Sequence, residues 1–258
     1  MFSPGKGKTN QRFPMKRNIL FGTMILLAGS LFAADSNPMG EVRAAIVALD
    51  GLPNYSWQVT VECPNGGVRF NGPTDGRTDR SGYIWLTMTR DDTTIEAVLK
   101  GVKGAVKTPE NGWQSLAEFG QAASDRNQFL ARQLEDYLSP MGQAANLGGS
   151  AVELKKDGDA YAGDLTEGGT ISFLLALGWP TTRDNAATVT NSKGTVKFWV
   201  KDGLLLKYEY HVQGAVRFNG KDQNVDQTTT VVIKDVGTTK VEVPDEAKKI
   251  IEAKKKKK

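Results

Sequence analysis

Between residues 194 and 243 the chain alternates apolar and polar positions with the period of a β-strand. Val196, Phe198 and Val200 alternate with Lys197, Trp199 and Lys201, which is the pattern of a strand with one buried face. Asp202-Gly203 is a two-residue signal for a tight hairpin turn. Leu204, Leu206, Tyr208, Tyr210 and Val212 then carry an apolar face back, with Leu205, Lys207, Glu209 and His211 on the other side. Val231 and Ile233 continue it beyond a threonine run. The pattern predicts an antiparallel meander with one aromatic-rich face.

Earlier segments read in the same way. Residues 41–50 predict a short helix with Val42, Ala45, Ile46 and Leu49 on one side, stopped by Gly51-Leu-Pro-Asn54. Residues 55–63 predict a strand with Trp57, Val59, Val61 and Cys63 on one face. Val68-Arg-Phe-Asn-Gly72 and Val216-Arg-Phe-Asn-Gly220 both read as a strand end entering an Asn-Gly turn. Residues 72–82 are polar and loop-like. Residues 83–89 predict a strand, with Ile84, Leu86 and Met88 opposite Tyr83 and Trp85. Asp91-Asp92 turns it, and residues 94–100 and 101–107 follow as strands.

Residues 113–137 read as helical, with Phe129, Leu130, Leu134, Tyr137 and Leu138 in one stripe, ended by Ser139-Pro140. Small, Gly-rich residues 141–150 read as a loop. A strand pair is expected around Lys155-Lys-Asp-Gly-Asp159, and a helix over 166–178, apolar almost all round through Ile171, Phe173, Leu174, Leu175 and Leu177. Residues 181–191 read as a loop, and Pro244-Asp-Glu-Ala247 opens a last helix. Strands in runs with helices between them predict an α+β fold, one antiparallel sheet with helices against one face.

Residues 1–33 differ from the rest. They carry Lys6, Lys8, Arg12, Lys16 and Arg17, no acid, a short apolar run at 19–27, and small residues after it. This is the layout of a cleaved secretory signal, with the cut near Ala33 and with Met1 or Met15 as the start. The alternative is a membrane anchor, but the apolar run is short for a bilayer that takes about 20 residues to span. Leu26-Leu-Ala-Gly-Ser30 resembles a bacterial lipobox with serine in place of the lipid-bearing cysteine, so the expected product is soluble, periplasmic or secreted. Taking the five charges of the signal from 33 basic residues leaves 28 against 29 acids, and a nucleic-acid partner is not indicated. Residues 253–258 read as a solvated tail. Its lysines Lys254, Lys255, Lys256, Lys257 and Lys258 could instead touch an anionic membrane surface. Cys63 is the sole cysteine, which excludes an intramolecular disulfide and predicts a buried small hydrophobe.

Taken together, several features resemble the LolA/LppX-like superfamily of lipoprotein and lipid carriers. They are a helix leading into Tyr55-Ser-Trp57, Gly112-Trp113 before mid-chain helices, and the Lys197-Phe-Trp-Val-Lys-Asp-Gly203 hairpin. A Thr-rich strand, Asp235-Val-Gly237 and Val243-Pro-Asp-Glu-Ala247 complete the set. The resemblance implies a strongly curved, incomplete β-barrel over residues 34–252, closed by helices on its concave face around an apolar cavity. The chain departs from the family in lacking a lipobox cysteine.

Three functions follow for testing. As a carrier of a lipid or of the acyl chain of a lipoprotein, a monomer with no cofactor and no metal, the chain would line its cavity from both layers. The sheet would supply Trp57, Val59, Val61 and Trp85, then Phe198, Val200, Leu206, Tyr208 and Tyr210. The helices would supply Phe129, Leu134, Tyr137, Phe173, Leu174 and Leu177. The same residues could equally form a dry core in a protein-binding or sensing module that uses the sheet edge or concave face. Trp199 would then be an exposed aromatic or would lie under the 181–191 loop. Catalysis has little to stand on. His211 is the single histidine, Asp157-Gly-Asp159 suits a turn better than a calcium site, and no phosphate loop or nucleophile elbow is present.

Overall fold

The computed structural model describes residues 37–64, 74–90, 93–121, 125–179 and 186–253. The expected signal (1–33), the Val68–Gly72 segment, the Asp91-Asp92 turn and the lysine run 254–258 lie outside the described residues.

Helix α1 (Pro38–Asp50) opens the described chain, with Asn37 accepting from the Gly40 amide as its N-cap. Its predicted face is the buried one: Val42, Ala45, Ile46 and Leu49 are all inside. The first meander follows as β1 (Asn54–Glu62), β2 (Thr74–Asp79), β3 (Ile84–Arg90), β4 (Thr93–Lys100), β5 (Lys103–Lys107) and β6 (Trp113–Ser115). Helices α2 (Leu116–Gln121), α3 (Asp125–Glu135) and α4 (Pro140–Ser150) come next. Then come β7 (Lys155–Asp157), β8 (Ala160–Asp164) and α5 (Glu167–Ala176). The long strands β9 (Thr188–Lys201), β10 (Leu204–Phe218) and β11 (Lys221–Lys234), and helix α6 (Asp245–Glu252), complete the order.

All the strands belong to one antiparallel sheet, in the order β6-β5-β4-β3-β2-β1-β11-β10-β9-β8-β7. Two meanders are thus sewn together where β1 meets β11, for instance at Trp57↔Ile233 and Val59↔Val231. The outer strands β6 and β7 are three residues each, so the sheet ends on short edges rather than closing. The fold is α+β, an open curled sheet with helices packed on it, as the apolar pattern implied. Asp202 and Gly203, at φ 53 and 75, make the β9–β10 turn, and Asn219 and Gly220, at φ 50 and 73, make the β10–β11 turn. Both central residues sit in the left-handed region that matches strand twist.

The structure corrects several expectations. Residues 74–79 are a strand, not loop. Thr-Asp-Gly-Arg-Thr-Asp has no apolar periodicity to announce it, yet it pairs with β1 and β3. Gly76 is what lets it do so: a Cβ there would lie 2.1 Å from the Trp57 indole, which packs directly on the bare backbone. Residues 113–137 are not one helix but β6, α2 and α3. Residues 140–150 are helix α4, not loop. Ser139 and Pro140 begin it, with Ser139 accepting from the Gly142 amide as N-cap and proline at N1. Its small residues let it lie close on α1 and α5; Gly148 faces Ile46. Strand β9 begins at Thr188, inside the segment expected to be loop. Helix α6 covers the opposite face of the sheet, where Ala247 and Ile251 pack on Tyr83, Trp85, Val98 and Ala105. Helices therefore occupy both faces at that end, which is why the consecutive Ala97-Val98-Leu99 and Ala105-Val106 are all buried.

Candidate functional site

The inward face of the long-strand half is a continuous band. Across the rungs run Val59, Val231, Tyr208 and Phe198, and next to them Val61, Thr229, Tyr210 and Val196. Helices α1, α4 and α5 lie over it. Tyr55 contacts Trp57 with ring centroids at 5.6 Å, Phe198 contacts Tyr208 at 6.4 Å, and Phe173 of α5 reaches Tyr210 at 5.3 Å.

Most of the residues singled out from the sequence belong to the same core as this band, at different depths, although Leu134 sits on α3, which packs on α2 and β5. Trp57, Leu134, Leu174, Phe198, Tyr208 and Tyr210 are fully buried, while Val59, Val61, Phe129, Tyr137, Phe173, Leu177 and Val200 are half-buried. Two lie elsewhere. Trp85 is on the other face, edge-on to Trp113 and stacked under the Arg77 guanidinium 4.4 Å away. Leu206 is 38% exposed, and Leu205 takes the inward position instead at 1%. The cause is a register shift: Leu205 pairs with Val200 and Lys207 with Trp199, so Leu206 is the extra residue of a β-bulge. A bulge resets the alternation by one residue. Trp199 is half-buried. Its Nε1 donates to Asp159 Oδ1 at 3.1 Å and Lys207 Nζ lies 4.1 Å from its ring centre, so the β7–β8 turn covers it.

Within this apolar band runs a neutral polar seam. The Tyr208 hydroxyl donates to Gln143 Oε1 at 2.8 Å, and Gln143 Nε2 reaches the Tyr210 hydroxyl at 3.4 Å. On β11, buried Gln227 donates to Thr229 Oγ1 at 3.0 Å. Burial pushes the Tyr55 phenol up to about 12, helped by the Asp50 charge and opposed by the Ser139 hydroxyl. Burial likewise raises Tyr137 and Tyr208, and raises Tyr210 against the hydrogen bonds of Thr229 and Gln143. The Trp57 N–H lies close enough to favour an ionised Tyr137, yet it makes no hydrogen bond of normal geometry. Gln143 was invisible in the sequence as part of this seam, because it sits in the segment read as loop. Recognising Ser139-Pro140 as a helix start would have placed it on the first turn of α4.

Helix α5 supplies the other notable surface. Thr166 caps it, accepting from the Gly169 amide at 3.1 Å. Its inner line is Thr170 and Leu174, both fully buried against β9 and β10. Ile171, Phe173, Leu175 and Leu177 flank that line on either side and remain half-exposed. Helix α3 meets the end of α5 through Phe129, whose ring fills the place a Cβ on Gly178 (φ 103) would take, 1.7 Å away.

Elsewhere the chemistry is sparse. His211 Nε2 lies 2.7 Å from Asp226 Oδ1 on the outer face. Cys63 is a half-exposed free thiol, not the buried hydrophobe expected, with Sγ 3.9 Å from Gln227 Oε1. Among the described residues no three His, Cys, Asp or Glu side chains group to hold a metal ion, and no helix is long and apolar enough to cross a membrane. An open groove of about 500 Å³ lies between α2 and α3, with mixed lining that includes Leu116, Gln128, Arg132 and Glu135.

No protein-family model and no curated protein sequence matches the chain. Among solved structures it is similar to LprF from Mycobacterium bovis, at 15% identity over 81% of this chain and 97% of that one, with a TM-score of 0.43. It is likewise similar to the lipoprotein LppX from Mycobacterium tuberculosis, at 12% identity over 82% of this chain and 100% of that one, with a TM-score of 0.44. At such identities no residue role is carried across.

Proposed function

We propose that this chain is an exported, non-catalytic carrier of an apolar ligand, a lipid or the acyl chain of a lipidated protein, held between the curled sheet and its helices. The supporting observation is helix α5. It is apolar on nearly every side, yet of its large aliphatic and aromatic residues only Leu174 is fully buried. Phe173 and Leu177 edge the concave band, and an apolar chain laid along them gains about 0.8 kcal/mol per CH₂ removed from water. The deep aromatics Trp57, Phe198 and Tyr208 form the floor, and the half-exposed rim is the contact surface. On this reading the signal is removed near Ala33, the product is a periplasmic or secreted monomer, and the lysine run 254–258 offers contact with an anionic membrane.

The runner-up is a protein-binding module with a dry core. It is favoured by one observation: Phe198, Tyr208 and Leu174 are already 0% exposed. Native mass spectrometry of residues 34–258 from a bacterial host separates the two. A discrete bound lipid, lost in Phe173→Asp or Leu177→Asp variants that keep their circular dichroism, supports the carrier. A clean apo mass with no uptake of added phospholipid or acyl probe sinks it and favours the dry core.

A further inference from the structure

Helix α5 lies close on the sheet, and glycines on both sides of the contact set how close. Its inner line, taken every fourth residue, is Thr170, Leu174 and then Gly178 beyond the last turn. A Cβ on Gly194 of β9 would lie 2.6 Å from Thr170 Oγ1, and one on Gly214 of β10 would lie 2.9 Å from Leu174 Cδ1. Both side chains rest on bare backbone and are 0% exposed. Along this line the packing leaves no space for an apolar chain beneath the helix.

The flank beside it is different. Phe173 and Leu177, also four residues apart, pack against the main core yet stay half-exposed, and Phe173 meets Tyr210 of the sheet at 5.3 Å. This edge of α5 borders the core on one side and solvent on the other. It stops at Gly178, whose amide donates to the Leu175 carbonyl at 3.1 Å and whose φ of 103 turns the chain off the helix.

At Gly178 the inner line has no side chain of its own, and Phe129 of α3 takes the place. Its ring lies 1.7 Å from where a Cβ would stand, seated on the glycine backbone. The ring is half-buried, but the helix that carries it is anchored by Leu130, Ala131 and Leu134, all buried. Helix α3 packs on α2 and β5, so what stands at the end of α5 is fixed by a separate part of the fold.

We infer that Phe129 is the end-stop of this flank, the residue that sets how long an alkyl chain laid along Phe173 and Leu177 can be. An aromatic ring carried by a packed helix and seated on backbone is a wall that a chain end meets rather than displaces. The inference rests on the carrier reading and adds a length selectivity to the same site.

The test is affinity against chain length. Protein purified from a bacterial host and stripped of lipid is titrated with straight-chain saturated fatty acids of increasing length, and the bound masses are read by native mass spectrometry. Each CH₂ that reaches apolar surface should raise affinity about four-fold, until the chain end meets Phe129 and the affinity levels off. Phe129→Ala should move that break to longer chains, Phe129→Leu should move it the same way by less, and Phe129→Trp should move it to shorter ones. A ring that only packs α3 on α5 predicts something else: weaker binding at every length, with the break in place. That result, in variants with native circular dichroism, would overturn the end-stop and leave the carrier reading standing. A parent protein that takes up no fatty acid of any length would overturn the carrier reading, and the end-stop with it.

Discussion

The two halves of the sheet bury their residues by different rules. In the short-strand half, β3 to β5 lie between α2 and α6, and both faces are dry: Leu86 and Trp85, Ala97 and Val98, and Ala105 and Val106 are adjacent in sequence and all buried. In the long-strand half, β9 to β11 bury one face only. Val196 and Phe198, Tyr208 and Tyr210, and Val231 and Ile233 point in, while Lys197, Glu209, His211 and Thr230 point out. The long-strand half has the Gln143 seam and the half-exposed flanks of α5. One half is packed on both faces, and the other leaves the apolar flanks of α5 half-exposed.

The junction between the halves should give the largest effect when broken. Trp57 on β1 fills the space over Gly76 on β2 and is 1% exposed. Trp57→Ala should cost about 3–5 kcal/mol of stability, seen as a shift in the urea midpoint. A loss below about 1 kcal/mol would mean that the indole is not the element joining the two meanders.

The bulge in β10 gives the next test. Leu205→Ala should cost about 2–5 kcal/mol, whereas Leu206→Lys should fall within about 0.5 kcal/mol of the parent. The alternation of Leu204, Leu206 and Tyr208 predicts the reverse ranking, so the pair separates the bulged register from the regular one.

That pair also shows what was legible in the sequence. Alternation from Val196 to Val200 and the Asp202-Gly203 and Asn219-Gly220 turns are local signals, and local physics sets them. The bulge at Leu206 is set by pairing with β9, which no window of β10 contains. Strand β2 escaped because its one buried residue, Gly76, contributes by having no side chain. Helix α4 escaped because small residues that favour close helix packing look like loop composition; its cap, Ser139-Pro140, was present and was read as a stop. The second face of β3–β5 was signalled by the run Ala97-Val98-Leu99, but the helix that covers it lies about 150 residues away in the chain. Of the residues proposed to line a site, those on the regular alternation of β1, β9 and β10 share one face of the sheet, whereas Trp85 lies on the other face and Leu206 is turned out by the bulge. Gln143 and the fully buried depth of Tyr208 depend on packing between layers.

Alkaline titration sharpens the comparison further, because four phenols, Tyr55 on β1, Tyr208 and Tyr210 on β10 and Tyr137 between α3 and α4, are all raised by burial. An unfolded tyrosine ionises near 10, whereas burial pushes Tyr55 up to about 12 and raises Tyr137, Tyr208 and Tyr210. The folded state keeps protons that the unfolded state loses. Their stabilisation is therefore complete below the unfolded pKa and falls as pH rises from about 10 through 12. Tyrosine ultraviolet absorbance and far-ultraviolet circular dichroism should change together in that window. Free ionisation of all phenols near 10 with native dichroism would show the seam to be open to water.

The smallest effect belongs to the seam itself. Gln143→Leu removes the acceptor of the Tyr208 hydroxyl, which is 0% exposed, and an orphaned buried hydroxyl costs about 1–3 kcal/mol. Tyr208→Phe in the same chain removes the orphan, so the double variant should recover most of that loss, because replacing both partners with apolar groups is nearly neutral. The recovery is the informative quantity. A Gln143→Leu loss that Tyr208→Phe does not relieve would mean that α4 is held by packing of Ala144 and Leu147 alone. Recovery would establish that the helix layer is tied to the long-strand half by a neutral hydrogen bond.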